Sequence, residues 1–262
     1  MKIRRLFPLA GFLMCMPVVM VRAAVFAPKA GVVRQQDGTV RTIQGLRASY
    51  VLGPVLARHA DTASFSAQGG LIASGGLLTL FDSSGRILAQ YESGEKSPVL
   101  GMQGARADAV AYLPSKRSLV VWNGSKFEEL AIQQDLGGTV LSLTAHDQSA
   151  DLIVGRADGS RAKVTASVKT GEISSVSELP GVHGNVVDHD GEIVSVDERG
   201  IHIENANGAY REFPIAGDGA TLEWMADAVL HISSASHKRD WALHLLPTGP
   251  ELSELPSGRN GQ

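Results

Sequence analysis

The sequence is poor in cysteine. Its 262 residues include a single one, Cys15, close to the N-terminus. One cysteine cannot form a disulfide within the chain. Once the N-terminal segment is set aside, the chain has no thiol chemistry either. Its stability must therefore come from the burial of apolar side chains and from hydrogen bonds.

Amphipathic helical periodicity is also nearly absent. After residue 24, short β-rich runs bounded by Gly, Asp, Asn and Ser recur about every eight to twelve residues, which is typical of all-β proteins. Residues 55–63 and 221–229 are the candidate short helices. No Gly-x-Ser-x-Gly elbow is present, and no helix follows the paired glycines. Neither a nucleophile elbow nor a phosphate-binding loop is therefore predicted.

The N-terminal segment has the features of a secretory signal peptide. Lys2, Arg4 and Arg5 precede an apolar run over residues 6–21, which leads into a small-residue site ending at Ala23. We expect cleavage after Ala23 and export to the periplasm or the extracellular space. The alternative is that the segment stays as a membrane anchor, although it is short for a bilayer span.

Loss of that segment would make the chain more acidic. It contains four basic residues and no acid, so its removal changes the formal net charge from −3 to −7. A net negative charge argues against nucleic acid as a partner. Contact with a membrane is expected only during export. Residues 256–262 are polar and are expected to form a flexible tail.

Residues 192–215 show the repeating unit of the chain most clearly. They contain three short β-rich runs joined by tight turns at Arg199-Gly200 and Asn207-Gly208. Units of four such runs recur from Asp61 onward, and a hairpin with Asp37-Gly38 at its tip precedes them. If the last turn of each unit is equivalent, the tip glycines recur about every 42 residues. These glycines are Gly38, Gly85, Gly124, Gly171, Gly208 and Gly249.

A four-stranded unit with this period resembles the blade of a β-propeller of the broad WD40-like or quinoprotein-like kind. The resemblance covers residues 31–255. It is one of period and turn chemistry, because the Gly-His and Trp-Asp dipeptides of WD40 repeats are missing. We predict an all-β protein whose residues 24–255 form one β-propeller of four-stranded antiparallel blades. Six blades are favoured over five, and a two-sheet sandwich explains the regular period less well.

The densest polar cluster is Asp188-His189-Asp190. Carboxylate and imidazole groups at this spacing suggest a metal site, but a calcium loop needs more oxygen donors at alternating positions. A tight hairpin turn explains Asp190-Gly191 without a metal. We therefore assign no metal ligand here.

Three histidines cluster near the C-terminus. His231, His237 and His244 are six and seven residues apart, which matches no standard zinc spacing. His231 and His244 alternate with apolar residues and are predicted to point away from the core. The tryptophans, Trp122, Trp224 and Trp241, are predicted to pack between blades.

The sequence assigns no catalytic, cofactor-binding or metal-binding residue and predicts no cofactor. The first hypothesis is a monomeric, non-enzymatic scaffold that holds a protein or peptide at one end of the ring or in a groove between blades. The second is a propeller enzyme, a hydrolase, lyase or quinone-linked oxidoreductase, with a discontinuous site at the central channel. An enzyme should place several ionisable side chains around one channel mouth, whereas a scaffold should show a broad apolar or aromatic patch.

Overall fold

The computed structural model describes residues 28–47, 49–103, 108–205, 208–215 and 219–256. Within these ranges the chain forms strands and no helix, and all the strands pair antiparallel in six separate sheets. None of the described residues therefore belongs to a helix that could cross a membrane. The expected signal peptide lies outside the described residues.

The first three sheets are blades 1 to 3. Blade 1 has three described strands, β1 (Lys29–Arg34), β2 (Val40–Gln44) and β3 (Val51–Ala57). Blade 2 has four, β4 (Thr62–Ser66), β5 (Gly69–Ser74), β6 (Leu77–Asp82) and β7 (Ile87–Glu92). Blade 3 also has four, β8 (Val99–Gln103), β9 (Asp108–Leu113), β10 (Ser118–Trp122) and β11 (Phe127–Ala131).

The last three sheets each have four strands. Blade 4 contains β12 (Thr139–Ala145), β13 (Ser149–Gly155), β14 (Arg161–Ser167) and β15 (Ile173–Glu178). Blade 5 contains β16 (Asn185–His189), β17 (Glu192–Val196), β18 (Ile201–Glu204) and β19 (Tyr210–Phe213). Blade 6 contains β20 (Ala220–Ala226), β21 (Val229–Ser234), β22 (Arg239–His244) and β23 (Glu251–Glu254).

The prediction of an all-β, six-bladed propeller is confirmed. The two candidate helices are wrong: residues 55–63 span the end of β3 and the start of β4, and residues 221–229 span β20 and the start of β21. Register shifts in the β2–β3 and β20–β21 pairs blur the alternation of apolar and polar residues there, which explains the false helical signal.

Burial decreases from the second strand of a blade to the fourth. In blade 4, five central residues of β13 are buried, whereas β15 is exposed at most positions. β13 is rich in β-branched and apolar residues on both faces because neighbouring blades cover both sides of it. β15 reads Ile-Ser-Ser-Val-Ser-Glu, as expected for an outer edge strand.

The first strands of the blades stand side by side around the axis. β8, β12 and β16 follow one another, and β20 lies against both β1 and β4. The space along the axis is lined by residues of β4, β8, β12, β16 and β20, together with Pro98, which precedes β8. β1 is therefore set back from the axis.

The tip glycines adopt the left-handed conformation that the turn interpretation requires, with φ between 73° and 121°. Five of them lie between the third and fourth strands of their blades. Gly38 does not: it lies between β1 and β2, so its predicted equivalence with the others is wrong. In an antiparallel blade both kinds of turn lie at the same end of the sheet.

Blades 1 and 6 meet at a seam that closes the ring. Every described sheet consists of consecutive strands, so no described strand is shared between the two blades. The seam is a cluster of apolar side chains that includes Val33, Tyr50 and Met225. The Tyr50 hydroxyl lies 2.8 Å from His244 Nε2 in the buried part of this contact.

Candidate functional site

The axial channel is a cavity of about 230 Å³ with few charges. Glu223 is the one ionisable residue among its described lining, and Arg34 Nε donates a 2.9 Å hydrogen bond to its carboxylate. The hydroxyls of Ser64 and Ser142 are buried in this lining without a protein partner. The channel interior is therefore neutral, with hydroxyls for polar contacts.

A second cavity of about 320 Å³ opens where the first strands of blades 3 to 6 end. We call it the acidic mouth, and its defining residues are Met102, Thr144, His189, Asp190, Trp224 and Asp227. Trp224 lines both the channel and the acidic mouth, so this residue lies between the two cavities. The side chains come from four different blades.

Trp224 and His189 form the aromatic wall of the mouth. Their ring centroids are 4.9 Å apart with the planes tilted by 43°. Trp224 is only 7% exposed, so it is held firmly and offers a limited surface to the cavity. Its predicted packing role accounts for the burial but not for its place beside a cavity.

The sequence Asp190-Gly191 forms the predicted tight turn. Both residues have positive φ, 50° and 85°, as a type I′ turn requires. This turn carries Asp190 to the rim of the mouth and leaves Asp188 behind it. Among the described residues, no three His, Cys, Asp or Glu side chains are grouped so as to hold a metal ion.

An ion pair and a hydrogen bond join blades 4 and 5 at Asp188, and we call the contacts of Asp188 with Lys163 and Thr144 the latch. The Asp188 side chain is 1% exposed and lies 2.7 Å from Lys163 Nζ of β14. The Gly191 amide donates to Asp188 Oδ1 at 3.1 Å, and Thr144 Oγ1 donates to the Asp188 carbonyl at 2.8 Å. Burial is the largest single effect on Lys163 and lowers its pKa, but the hydrogen bonds and charges of Asp188 and Asp151 together outweigh it and raise the Lys163 pKa.

A histidine and an aspartate lie next to this latch. His146 Nε2 is 3.3 Å from Asp151 Oδ2, and Thr165 Oγ1 donates to Asp151 Oδ1 at 2.7 Å. The hydrogen bond from His146 to Asp151 raises the histidine pKa, against a smaller effect of burial. Burial opposes ionisation of Asp151, but His146 and Thr165 together lower its pKa.

These groups give the mouth its charge. Asp190 and Asp227 lie on its rim, and Asp151 and Asp188 lie behind it, whereas Lys163 is the one lysine that pairs with them. The same carboxylates also face two imidazoles, since His146 lies 3.3 Å from Asp151 and His189 lies 3.9 Å from Asp190. With both imidazoles protonated, four carboxylates face three cations, so an excess of negative charge remains beside Trp224. Such a site suits a cation carried on an apolar stem.

A separate hydrogen-bonded chain lies in the outer half of blade 5. His202 Nε2 is 2.8 Å from Asp197, and His202 Nδ1 contacts the hydroxyl of Tyr210. Burial opposes ionisation of Asp197, but its hydrogen bonds with His202 and Arg199 lower its pKa well below the ordinary range. The adjoining cavity of about 50 Å³ has room for only one or two waters, so this chain joins strands and holds no sizeable ligand.

The C-terminal histidines differ from expectation. His231 and His244 are 3% and 8% exposed, so the prediction that they point away from the core is wrong. His231 Nε2 lies 3.0 Å from Asp240 Oδ1, and His244 contacts Tyr50 across the seam. Both faces of a blade are covered in the ring, so alternation along a strand does not separate core from solvent.

Sequence reasoning singled out His189 and Asp190 but missed the rest of the mouth. Met102, Thr144 and Asp227 belong to no motif, and they meet because each lies near the end of a first strand or in the turn after it. Their positions in successive units were the one signal that could have grouped them.

No family model matches the chain, and no curated protein matches it. Solved structures with a similar chain path do exist. They include a catalytically inactive virginiamycin B lyase from Staphylococcus aureus with quinupristin, 15% identical, with a TM-score of 0.49 over 90% of this chain and 86% of that one. A streptogramin B lyase is 12% identical, with a TM-score of 0.48 over 88% and 84%.

PorZ, a surface component of the type IX secretion system of Porphyromonas gingivalis, is also similar. It is 13% identical, with a TM-score of 0.47 over 90% of this chain and 39% of that chain. Similarities of this size carry no argument about activity. The propeller assignment therefore stands on the sheets and their arrangement around the axis.

Proposed function

We propose that this protein is a non-enzymatic binding module that holds a basic side chain of a protein or peptide partner in the acidic mouth. The observation that carries the proposal is the excess of carboxylates around a cavity with an indole wall. A guanidinium or ammonium group placed there gains from the carboxylates and from the face of Trp224.

The acids have separate tasks in this proposal. Asp188 and Asp151 are fixed by Lys163, Thr165 and His146, so they supply a constant field. Asp227 is exposed at the rim and can approach a ligand directly. Met102 and Trp224 contact the apolar stem of the bound side chain.

Binding is tested with a glycine- and serine-rich peptide that carries one arginine, compared with the same peptide carrying neutral citrulline. We expect the arginine peptide to bind and the citrulline peptide to bind at least about tenfold more weakly, since a hydrogen bond to a charged group is at stake. Isothermal titration calorimetry measures both. Affinity should fall as salt is added, because the attraction is partly screened.

Two substitutions test the site itself. Asp227→Asn should weaken binding of the arginine peptide, whereas Asp135→Asn, at an exposed aspartate 3.8 Å from Arg117, serves as the matched control and should not. Equal binding of the two peptides, or no binding of either, would contradict the proposal.

A propeller enzyme is the second candidate. Several ionisable side chains gather at one channel mouth, which is the arrangement expected of an enzyme, and His146 is the candidate general acid among them. This histidine is partly exposed, lies beside the mouth and has a pKa raised by Asp151, as a general acid would. Mass spectrometry of the peptides after incubation separates the candidates. New products that form with the wild type and not with His146→Gln would support an enzyme.

We propose further that the protein acts after export. The support is the basic and apolar order of residues 2–23 and the small residue Ala23. N-terminal sequencing of the protein from the periplasm or medium of an expressing bacterium should begin at Ala24. A full-length protein retained in the membrane fraction would favour the anchor instead.

A further inference from the structure

A third cavity of about 570 Å³ opens at the opposite end of the ring from the acidic mouth. It lies where β16 and β20 begin and where β17 ends, and its polar lining consists of Arg161, Asn185, Asp197, Glu198 and Arg199. Leu141 and Asn185 also line the channel, so this cavity adjoins it. We call it the arginine cavity.

Arg161 is hydrogen-bonded unevenly. Its Nη1 donates to the carbonyls of Gly159 and Ser160, at 3.0 and 3.2 Å. Its Nη2 makes one long contact, 3.4 Å, with the Gly184 carbonyl, and its Nε is buried without any acceptor. A buried donor left without an acceptor destabilises the fold, so such an atom requires an explanation.

The underused edge is the one that binds carboxylates. A guanidinium holds a carboxylate side-on through two parallel N–H groups, and Nε with one terminal nitrogen forms such a pair. In Arg161 these are Nε and Nη2, the nitrogens whose protein contacts are absent or long. No carboxylate lies within ion-pair distance of Arg161 among the described residues.

Of the other charged side chains that line the cavity, two form an ion pair with each other and one does not. Arg199 Nη2 lies 3.2 Å from Asp197, so these two offset each other. Glu198 is exposed and forms no ion pair in the described part of the chain. One cation and one anion thus remain for a ligand.

We propose that the arginine cavity binds a small carboxylate whose carboxyl group docks on Arg161, and that Glu198 favours ligands that also carry an amine. Amino acids and related zwitterions form this class. This site is independent of the acidic mouth, since the two lie at opposite ends of the ring and share no lining residue.

Three probes with matched four-carbon chains test the proposal by NMR titration of the labelled protein: butyrate, 4-aminobutyrate and butylamine. We expect 4-aminobutyrate to bind best, butyrate to bind more weakly and butylamine not to bind. Arg161→Gln should weaken both carboxylates by about tenfold or more, as loss of a charged hydrogen-bond pair predicts. Glu198→Gln should weaken 4-aminobutyrate and strengthen butyrate.

Arg156→Gln is the matched control, because Arg156 belongs to the same blade but is already held by Glu178 through two 2.8 Å hydrogen bonds. It should leave probe binding unchanged. Arg161→Lys is a second variant that keeps the charge and loses the side-on geometry, so it should bind butyrate at an intermediate level. Circular dichroism confirms that each variant is folded.

The proposal fails if neither carboxylate binds the wild type, if butyrate binds Arg161→Gln as well as the wild type, or if butylamine binds as tightly as 4-aminobutyrate. Thermal unfolding adds a second readout. Arg161→Gln removes a buried donor that has no acceptor and leaves no carboxylate without a partner, but it also loses the contacts with the Gly159, Ser160 and Gly184 carbonyls. These effects oppose each other, so the unfolding temperature should stay close to that of the wild type. A clear fall would indicate a structural role and overturn the assignment.

Discussion

Replacing Lys163 by methionine tests the latch between blades 4 and 5. The substitution keeps most of the side-chain volume and removes the ammonium group that lies 2.7 Å from Asp188 and 3.6 Å from Asp151. Asp188 would keep the Gly191 amide but lose its only counter-ion among the described residues. A buried carboxylate would thus be left without its cation.

The size of the effect follows from burial. Removing one partner of a fully buried ion pair costs about 3–5 kcal/mol, and an exposed pair contributes about 0–1 kcal/mol. Asp188 is 1% exposed but Lys163 is 26% exposed, so water can partly replace the lysine. We therefore expect Lys163→Met to lower the free energy of unfolding by about 2–3 kcal/mol, between these limits.

Urea unfolding of the wild type, Lys163→Met, Asp188→Asn and the double variant measures this value and the coupling energy of the pair. Lys116→Met is the matched control: Lys116 lies 3.3 Å from Glu129, but the two side chains are 42% and 31% exposed. It should cost less than about 1 kcal/mol. The reasoning is refuted if the two lysine variants cost the same, or if Asp188→Asn does not reduce the cost of Lys163→Met.

Three other outcomes are expected. The pKa of His146 is raised in the folded protein, so the ion pair with Asp151 stabilises the fold fully at pH values below 6.5, the unfolded pKa. This stabilisation is lost as the pH rises through the folded pKa. The urea midpoint of the wild type should fall over that pH range, and the midpoint of His146→Gln should not. Burial lowers the pKa of His244, so its contribution is instead lost as pH falls below 6.5, and His244→Gln should flatten that side of the profile. Gly70→Ala would place a Cβ 2.4 Å and 2.5 Å from two phenylalanine rings. Its free energy of unfolding should fall by about 1–3 kcal/mol, and an unchanged unfolding temperature would contradict this tight packing.

The strands and the blade number could be predicted because they depend on local chemistry. Turns such as Asn123-Gly124 and Asp158-Gly159 require positive φ at glycine, which is legible in the sequence, and their spacing gives the period. The sequence did not predict which side chains of a strand are buried. His231 and Ser233 lie in an alternating strand, yet both are buried, since neighbouring blades cover both faces.

The candidate site could be predicted only in part. The hairpin at Asp190 stood out because its polar residues are adjacent in the sequence. Trp224 and Asp227 lie more than thirty residues further on, in another blade, and the ring brings them beside His189. The turns in a single sequence predict which strands pair within a sheet, but nothing in that sequence predicts which side chains meet between sheets.

The ring of described blades is closed between blades 1 and 6 by side-chain contacts alone. Its closure depends on side chains such as Tyr50, His244 and Arg34, without a described strand that crosses the gap. Local unfolding and applied force should therefore open this contact before the others. At each of the other five junctions the two blades are consecutive in the chain, so the backbone also joins them. Amide hydrogens near Val33 should exchange early, and a linker that ties β1 to β23 would slow opening of the whole ring.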